Sequence, residues 1–293
     1  MQCLRELEGS QWWPLERIQQ LQSERLQRLI HHSYENVPYY RRLMDAGGLS
    51  PGRIRTAADL SLLPILTKAD VREYRSDLLA EGFPRRELLE GRTGGSTGEP
   101  LVFYSSRESR SSRGIARTLR ALEWAGTYPG DPSVVVMRRR YSDSFWSAQF
   151  RRAVRLLSRT AFEDCADFSD SSLPFVVWRI SGLRPRLLTG YPSALCIIAE
   201  FIRDSGIPSP DVKAIVVGGE ALFDEQRSLL RDVFGCEPLS AYSSYENFDI
   251  AMECNAHAGL HVAAEDLVVE IVDDAGRPVE LSLIHISEPT RPY

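Results

Sequence analysis

Thr93-Gly-Gly-Ser-Thr-Gly98 packs three hydroxyl residues and three glycines into six consecutive positions. Small residues let backbone N–H groups approach an anion closely and the hydroxyls add donors, so this loop suits a phosphate. It is not a Walker A loop, because Glu99-Pro100 and a strand-like run follow it where Gly-Lys-Ser/Thr and a helix would be needed. A flexible hairpin tip has the same composition. Gly218-Gly219-Glu220 closes an apolar run, and glycines there admit a flat ring against the backbone; a tight strand-to-helix turn reads alike. Tyr242-Ser243-Ser244-Tyr245-Glu246 offers an aromatic face, hydroxyls and a carboxylate, donors suited to a hard cation such as Mg²⁺, or else an exposed polar loop.

Cys254, His257 and His261 are zinc-ligand types within eight positions. A tetrahedral site would need a fourth ligand, from Glu265 or a distant cysteine, and ordinary loop residues are the competing reading. Arg138-Arg-Arg140 and Arg151-Arg152 could meet an anionic substrate, although such runs are commonly solvated faces. Lys68 and Lys213 are the only lysines, and no Ser/His/Asp or Cys/His nucleophile signature stands out.

Positioning these groups requires a scaffold, and its elements are legible. Ile18, Leu21, Leu26, Leu29 and Ile30 recur at helical spacing from Pro14 to His32, and Asn36-Val37-Pro38 breaks that helix. Thr56-x-x-Asp59 and Thr67-x-x-Asp70 read as capped starts of short helices. Residues 1–85 are therefore expected to be a helical N-terminal layer. From residue 86 to 280 the texture changes. Leu88-Leu89 and Leu101-Val-Phe-Tyr104 frame the Gly/Ser/Thr tip as a hairpin. Apolar runs at 133–137, 186–189, 213–217 and 239–242 then alternate with helical stretches near 147–157, 193–204 and 224–234. That alternation predicts an α/β fold with a mostly parallel, layered sheet. The run Leu267–Asp273 leads into a turn at Asp274–Arg277. Residues 281–293 read as a non-native tail of the kind an in-frame sequencing adaptor leaves.

Composition narrows the function classes. The 293 residues carry 35 Lys+Arg against 40 Asp+Glu, a formal charge of −5, with 43% hydrophobic residues. Mild acidity without a basic tract argues against a general nucleic-acid binder. No run approaches the ~18 apolar residues of a membrane span, and the N-terminus does not read as a signal peptide. Five scattered cysteines form no disulfide framework, which points to a reducing cytoplasm.

Taken in order, these segments resemble the adenylate-forming (AMP-binding) enzymes, in the phenylacetate-CoA ligase-like branch that includes proteins of capsular polysaccharide biosynthesis. The resemblance runs from Asn36 to Glu280. It rests on Asn36-Val-Pro-Tyr-Tyr40, Leu63-Pro-Ile-Leu-Thr-Lys68, Thr93 through Pro100, Gly190-Tyr-Pro-Ser193 and Gly218-Gly219-Glu220. It implies the large domain of an ATP-dependent, AMP-forming carboxylate–CoA ligase acting through an acyl-adenylate. ATP, Mg²⁺ and coenzyme A are the implied cofactors, with structural Zn²⁺ as a further option, a small-molecule carboxylate as substrate and a homodimer as an assembly open to it. Thr93, Gly94, Gly95, Ser96, Thr97 and Gly98 would then hold phosphates. Gly218, Gly219 and Glu220 would line the adenine, Tyr242 would stack on it, Ser244 would lie in the same cofactor loop, and Glu246 would be the catalytic Mg²⁺ carboxylate. Two features depart from the branch: Glu99 stands where a lysine is usual, and Ser243 and Tyr245 alter the Tyr-Gly-x-Thr-Glu pattern. The branch's Thr-Gly-Asp segment and lysine-bearing C-terminal lid do not occur in the sequence, so a catalytically incomplete chain is expected. A nucleotide-binding relative in surface-polysaccharide biosynthesis, without thioester formation, is the alternative; a zinc-stabilised interaction domain is a third reading.

Overall fold

The computed structural model describes residues 2–92, 100–106, 113–138, 159–273 and 277–279. The N-terminal part is helical: α1 (Gln2–Ser10), α2 (Leu15–Asn36), α3 (Pro38–Ala46) and α4 (Lys68–Glu73), with short 3₁₀ turns at Pro51–Arg53 and Ala57–Leu62. Val37 is extended (φ −112°, ψ 107°) and separates α2 from α3, as a residue before proline must be. Thr67 accepts from the Asp70 N–H while the Asp70 carboxylate accepts from the Thr67 N–H, closing the expected capping box. Leu26 and Ile30 pack with Met44 and Ile54 in a small helical core. Leu29, expected on that same face, is exposed instead. It lies one position off the narrow stripe that Leu26 and Ile30 bury.

Strands β1 (Leu88–Arg92) and β2 (Val102–Ser106) pair antiparallel, as the hairpin reading predicts. Its tip, Thr93–Glu99, lies outside the described residues, as do Arg139, Arg140, Arg151, Arg152 and the helix expected near 147–157. After α5 (Gly114–Trp124) come β3 (Ser133–Met137), β4 (Thr160–Asp164), α6 (Leu173–Leu183), β5 (Leu187–Gly190), α7 (Pro192–Ser205), β6 (Ala214–Gly218), α8 (Asp224–Phe234), β7 (Pro238–Ser244), β8 (Phe248–Glu253) and β9 (Leu260–Val262).

These strands form one seven-stranded sheet in the order β4-β3-β5-β6-β7-β8-β9. The first five run parallel, and β8 and β9 are added antiparallel. Alternate residues point to opposite faces. Val134, Val136, Leu188, Ile215 and Val217 therefore meet α6, α7 and α8 in the main core, while Leu187, Ala214, Val216 and Leu239 meet Ala121 of α5, Ala125 just after it and Met252 of β8. Both faces are covered, which is why the central strands read as unbroken apolar runs. Each fully buried aliphatic side chain contributes roughly 1.5–3 kcal/mol.

Within Leu267–Asp273 only Ile271–Val272 (β10) pairs, with Pro278–Val279 (β11). The preceding residues run alongside α2 instead, where Gln22 donates to the Leu267 carbonyl at 2.9 Å. No helix among the described residues is long and apolar enough to cross a membrane.

Packing also fixes thiol chemistry. Burial, reinforced by Glu200 and Glu220, pushes the Cys196 thiol up to about 11; burial and Glu237 do the same for Cys236. Thiolate at pH 8 is then about one part in a thousand. Iodoacetamide labelling followed by peptide mass spectrometry should find both cysteines about a hundredfold or more slower in the native protein than in urea. Equal rates would contradict their burial.

Candidate functional site

The candidate site lies at the carboxyl edge of three neighbouring parallel strands. Gly190 of β5 is in register with Val217 of β6, and Gly218 with Ala241 of β7. Beyond this register Tyr191-Pro-Ser193, Gly219-Glu220 and the end of β7 from Tyr242 to Ser244 therefore emerge side by side. Open α/β sheets bind ligands at this edge, where side chains and turn N–H groups leave the sheet together.

The first two loops interlock. Gly219 has φ +80°, and a Cβ there would lie 2.8 Å from Cε1 of the Tyr191 ring. Only glycine combines that backbone with that approach. The Glu220 carboxylate accepts from the Ser193 N–H at 3.2 Å, over the first turn of α7. Thus Glu220, expected to line an adenine, also ties its loop to a helix N-terminus, where an anion is favoured.

The third loop turns the chain back into β8. Register shifts between Tyr242 and Ser243, and a turn over residues 245–247 follows. Ser244 Oγ accepts from the Asn247 N–H at 3.0 Å. The Tyr242 ring is half exposed, at 47%. Among the described residues no hydrogen bond or ion pair engages the Glu246 carboxylate. With the oxygens of Ser244 nearby in sequence, this donor set fits a hard cation such as Mg²⁺.

Sequence reasoning missed what braces this turn. Three residues of α5 meet three consecutive residues after Glu246. Arg117 Nη2 donates to the Asn247 carbonyl, the Phe248 ring lies over Gly114, and Thr118 Oγ1 donates to Asp249. Arg117 is buried, and burial pushes its pKa down despite Asp266 and Asp249. The same face carries Arg113, which reaches Asp266 at 2.5 Å, and Arg120, which reaches Glu265 at 2.5 Å. The spacing of 113, 117 and 120 is helical, but arginines read as surface, so their burial carried no signal.

The zinc-type residues divide. His261 Nε2 lies 3.1 Å from Cys254 Sγ, with the ring 5.1 Å from that of Trp124. His257 instead faces Glu253, at 3.8 Å. Glu265, weighed as a fourth ligand, is committed elsewhere: it is buried, accepting from Arg120 and from Ser10 Oγ at 2.6 Å. Among the described residues no three His, Cys, Asp or Glu side chains converge on a metal position. The set as built does not fit a tetrahedral zinc site.

Comparison with known proteins places the arrangement. No family model matches the chain. It is 28% identical over 279 residues to "Phenylacetate-coenzyme A ligase" of Thermus thermophilus, covering 91% of this chain and 60% of that protein. It is 27% identical over 280 residues to "Protein CapK" of Staphylococcus aureus, covering 93% and 60%. A shorter stretch of 121 residues is 38% identical to the Escherichia coli phenylacetate-coenzyme A ligase, covering 40% and 26%. Thus the chain spans about 60% of the length of the first two relatives. Among solved structures it superposes on 2-hydroxyisobutyryl-CoA ligase in complex with 2-HIB-AMP and CoA, with a TM-score of 0.72 and 21% identity, over 91% of this chain and 58% of that one. At that identity the likeness establishes a shared fold.

Proposed function

We propose that this chain, which belongs to the phenylacetate-CoA ligase-like adenylate-forming proteins, is the nucleotide-holding part of an ATP-dependent, AMP-forming carboxylate–CoA ligase. The supporting observation is the convergence of the Tyr191, Gly219 and Tyr242 loops on one carboxyl edge of the sheet. In this reading the adenine lies on the backbone of Gly218 and Gly219 and beneath the Tyr242 ring. Ser244 and Glu246 face the phosphates, and Thr93, Ser96 and Thr97 hold them from the hairpin tip. Glu246 holds Mg²⁺, which when bound neutralises charge on the phosphates. The protein supplies orientation and fixed dipoles and needs no nucleophile of its own: the substrate carboxylate attacks the α-phosphate, pyrophosphate leaves, and the thiol of coenzyme A then displaces AMP.

Calorimetry on the purified chain tests the nucleotide step directly. ATP with Mg²⁺ should bind, and Glu246→Gln should remove about tenfold of the affinity that Mg²⁺ adds while leaving metal-free ATP binding unchanged. Absence of ATP binding would overturn the reading. Ser243 and Tyr245, which depart from the branch's turn, motivate a second reading, a nucleotide-binding relative without thioester formation. It predicts ATP uptake with no carboxylate-dependent pyrophosphate release by the whole protein.

A further inference from the structure

Glu246 sits on the turn between β7 and β8, closed by the Ser244–Phe248 pairing and braced from outside the hairpin by α5. Phe248 has φ +57°, a left-handed conformation that a bulky aromatic residue adopts only when its surroundings enforce it. The enforcing surface is a single face of α5, formed by Gly114, Arg117 and Thr118 at helical i, i+3, i+4 spacing. Each meets one of Asn247, Phe248 and Asp249 in succession. At Gly114 an added Cβ would stand 2.6 Å from Cδ2 of the Phe248 ring, so ring and helix are in closest contact there. Arg117 is a costly way to fill this space, because its Nε is buried without a hydrogen-bond partner among the described residues. An apolar side chain would pack as well and leave no orphaned donor. Beside its charge toward Asp266 and Asp249, the guanidinium provides a grip on the Asn247 carbonyl, one residue beyond Glu246.

We propose that Arg117 is a positioning residue: by holding the Asn247 carbonyl against α5 it sets where the Glu246 carboxylate stands relative to a nucleotide-bound divalent cation. This rests on the reading of Glu246 given above. The geometry makes α5, an element that carries none of the sequence motifs, part of the apparatus that places the cation. Arg117 touches neither nucleotide nor metal, and acts through one backbone carbonyl.

Two measurements on the full chain separate the parts of the proposal. Hydrogen exchange without ligand reads the grip: in Arg117→Met the amides of residues 246–249 should exchange about tenfold or more faster, while those of the central strands stay protected. Arg117→Lys, which keeps a donor, should recover part of that protection. Gly114→Ala approaches the turn from its other side. It favours the helix by propensity yet displaces the Phe248 ring, so it should loosen the same amides while exchange in the rest of α5 stays as slow as in the parent. Calorimetry with ATP in the presence and absence of Mg²⁺ reads the consequence: Arg117→Met should lose about tenfold of the Mg²⁺-dependent affinity and none of the metal-free affinity. A structural role alone would move both equally. Unchanged exchange at 246–249 in both Arg117→Met and Gly114→Ala overturns the grip, whatever the nucleotide data. Faster exchange with unaltered Mg²⁺ dependence overturns the cation-positioning role, and a parent chain that binds no ATP overturns the proposed function on which that role rests.

Discussion

Arg120→Met is expected to lower the free energy of unfolding by about 3–5 kcal/mol, the range found when one partner of a buried ion pair is removed. Arg120 and Glu265 are both almost wholly buried, 3% and 4% exposed, and lie 2.5 Å apart. Arg120 also donates to the Leu7 carbonyl, and Ser10 donates to Glu265, so the pair joins α1, α5 and the segment after β9. Replacing the arginine strands a carboxylate in an apolar interior. The companion double variant, Arg120→Met with Glu265→Leu, should be more stable than Arg120→Met alone, because no charge is left unpaired. Acid strengthens the test. Burial pushes the Glu265 carboxyl up, but the hydrogen bonds from Arg120 and Ser10 outweigh it and hold it below its ordinary 4.5. A depressed carboxyl contributes stability in full above 4.5 and loses it as pH falls through the lower folded value. In Arg120→Met the ion pair is gone and burial is opposed only by the Ser10 and backbone hydrogen bonds, so protonation costs that variant less stability than it costs the parent. The gap between the two, read from urea unfolding, should narrow from pH 7 toward pH 4. A gap that stays constant would remove the pair from the account of stability.

Gly219→Val is expected to reduce ATP affinity by about a hundredfold or more. A β-branched residue at φ +80° costs about 1–3 kcal/mol of backbone strain, and its Cβ would press on the Tyr191 ring at 2.8 Å. The loop relieves both by moving away from Tyr191, carrying Glu220 off the Ser193 N–H and tilting the surface proposed to face adenine. Gly219→Ala should fall between parent and valine variant. Calorimetry with ATP reads the order; a valine variant that binds like the parent would detach this loop from the nucleotide.

Much of this architecture was readable before any coordinates. The β-branched runs at 133–137 and 213–217, with helical stretches between, dictate a parallel sheet buried on both faces, and the glycines closing β5 and β6 mark its ligand edge. Unread elements share one physical feature, polar residues turned inward. Strand β4 (Thr160–Asp164) hides Glu163, which Arg179 of α6 reaches, so its sequence lacks an apolar stripe. Helix α5 buries Arg117 and Arg120 among alanines. The partner that permits burial lies 16 residues on for Glu163 and 130 and 145 residues on for Arg117 and Arg120, in each case beyond the reach of local periodicity. The Cys254, His257 and His261 group shows the converse, since spacing in sequence did not bring a third ligand to the first two. There the chain turns at His257, whose φ of +49° directs its ring toward Glu253.

The change of strand polarity at β7 has a kinetic side. Parallel neighbours must bring together residues far apart in the chain, such as Ser133 and Leu187. Strands β7 and β8 need only a three-residue turn. A hairpin can close in about 1–10 μs, well ahead of pairings that wait on long loop closure. The turn bearing Glu246 is thus a part of the site able to form locally during folding, as is the β1–β2 hairpin. Helix α5, encoded more than a hundred residues earlier, must dock onto an existing hairpin to force Phe248 into its left-handed conformation. Weakening that docking should therefore speed unfolding more than it slows folding.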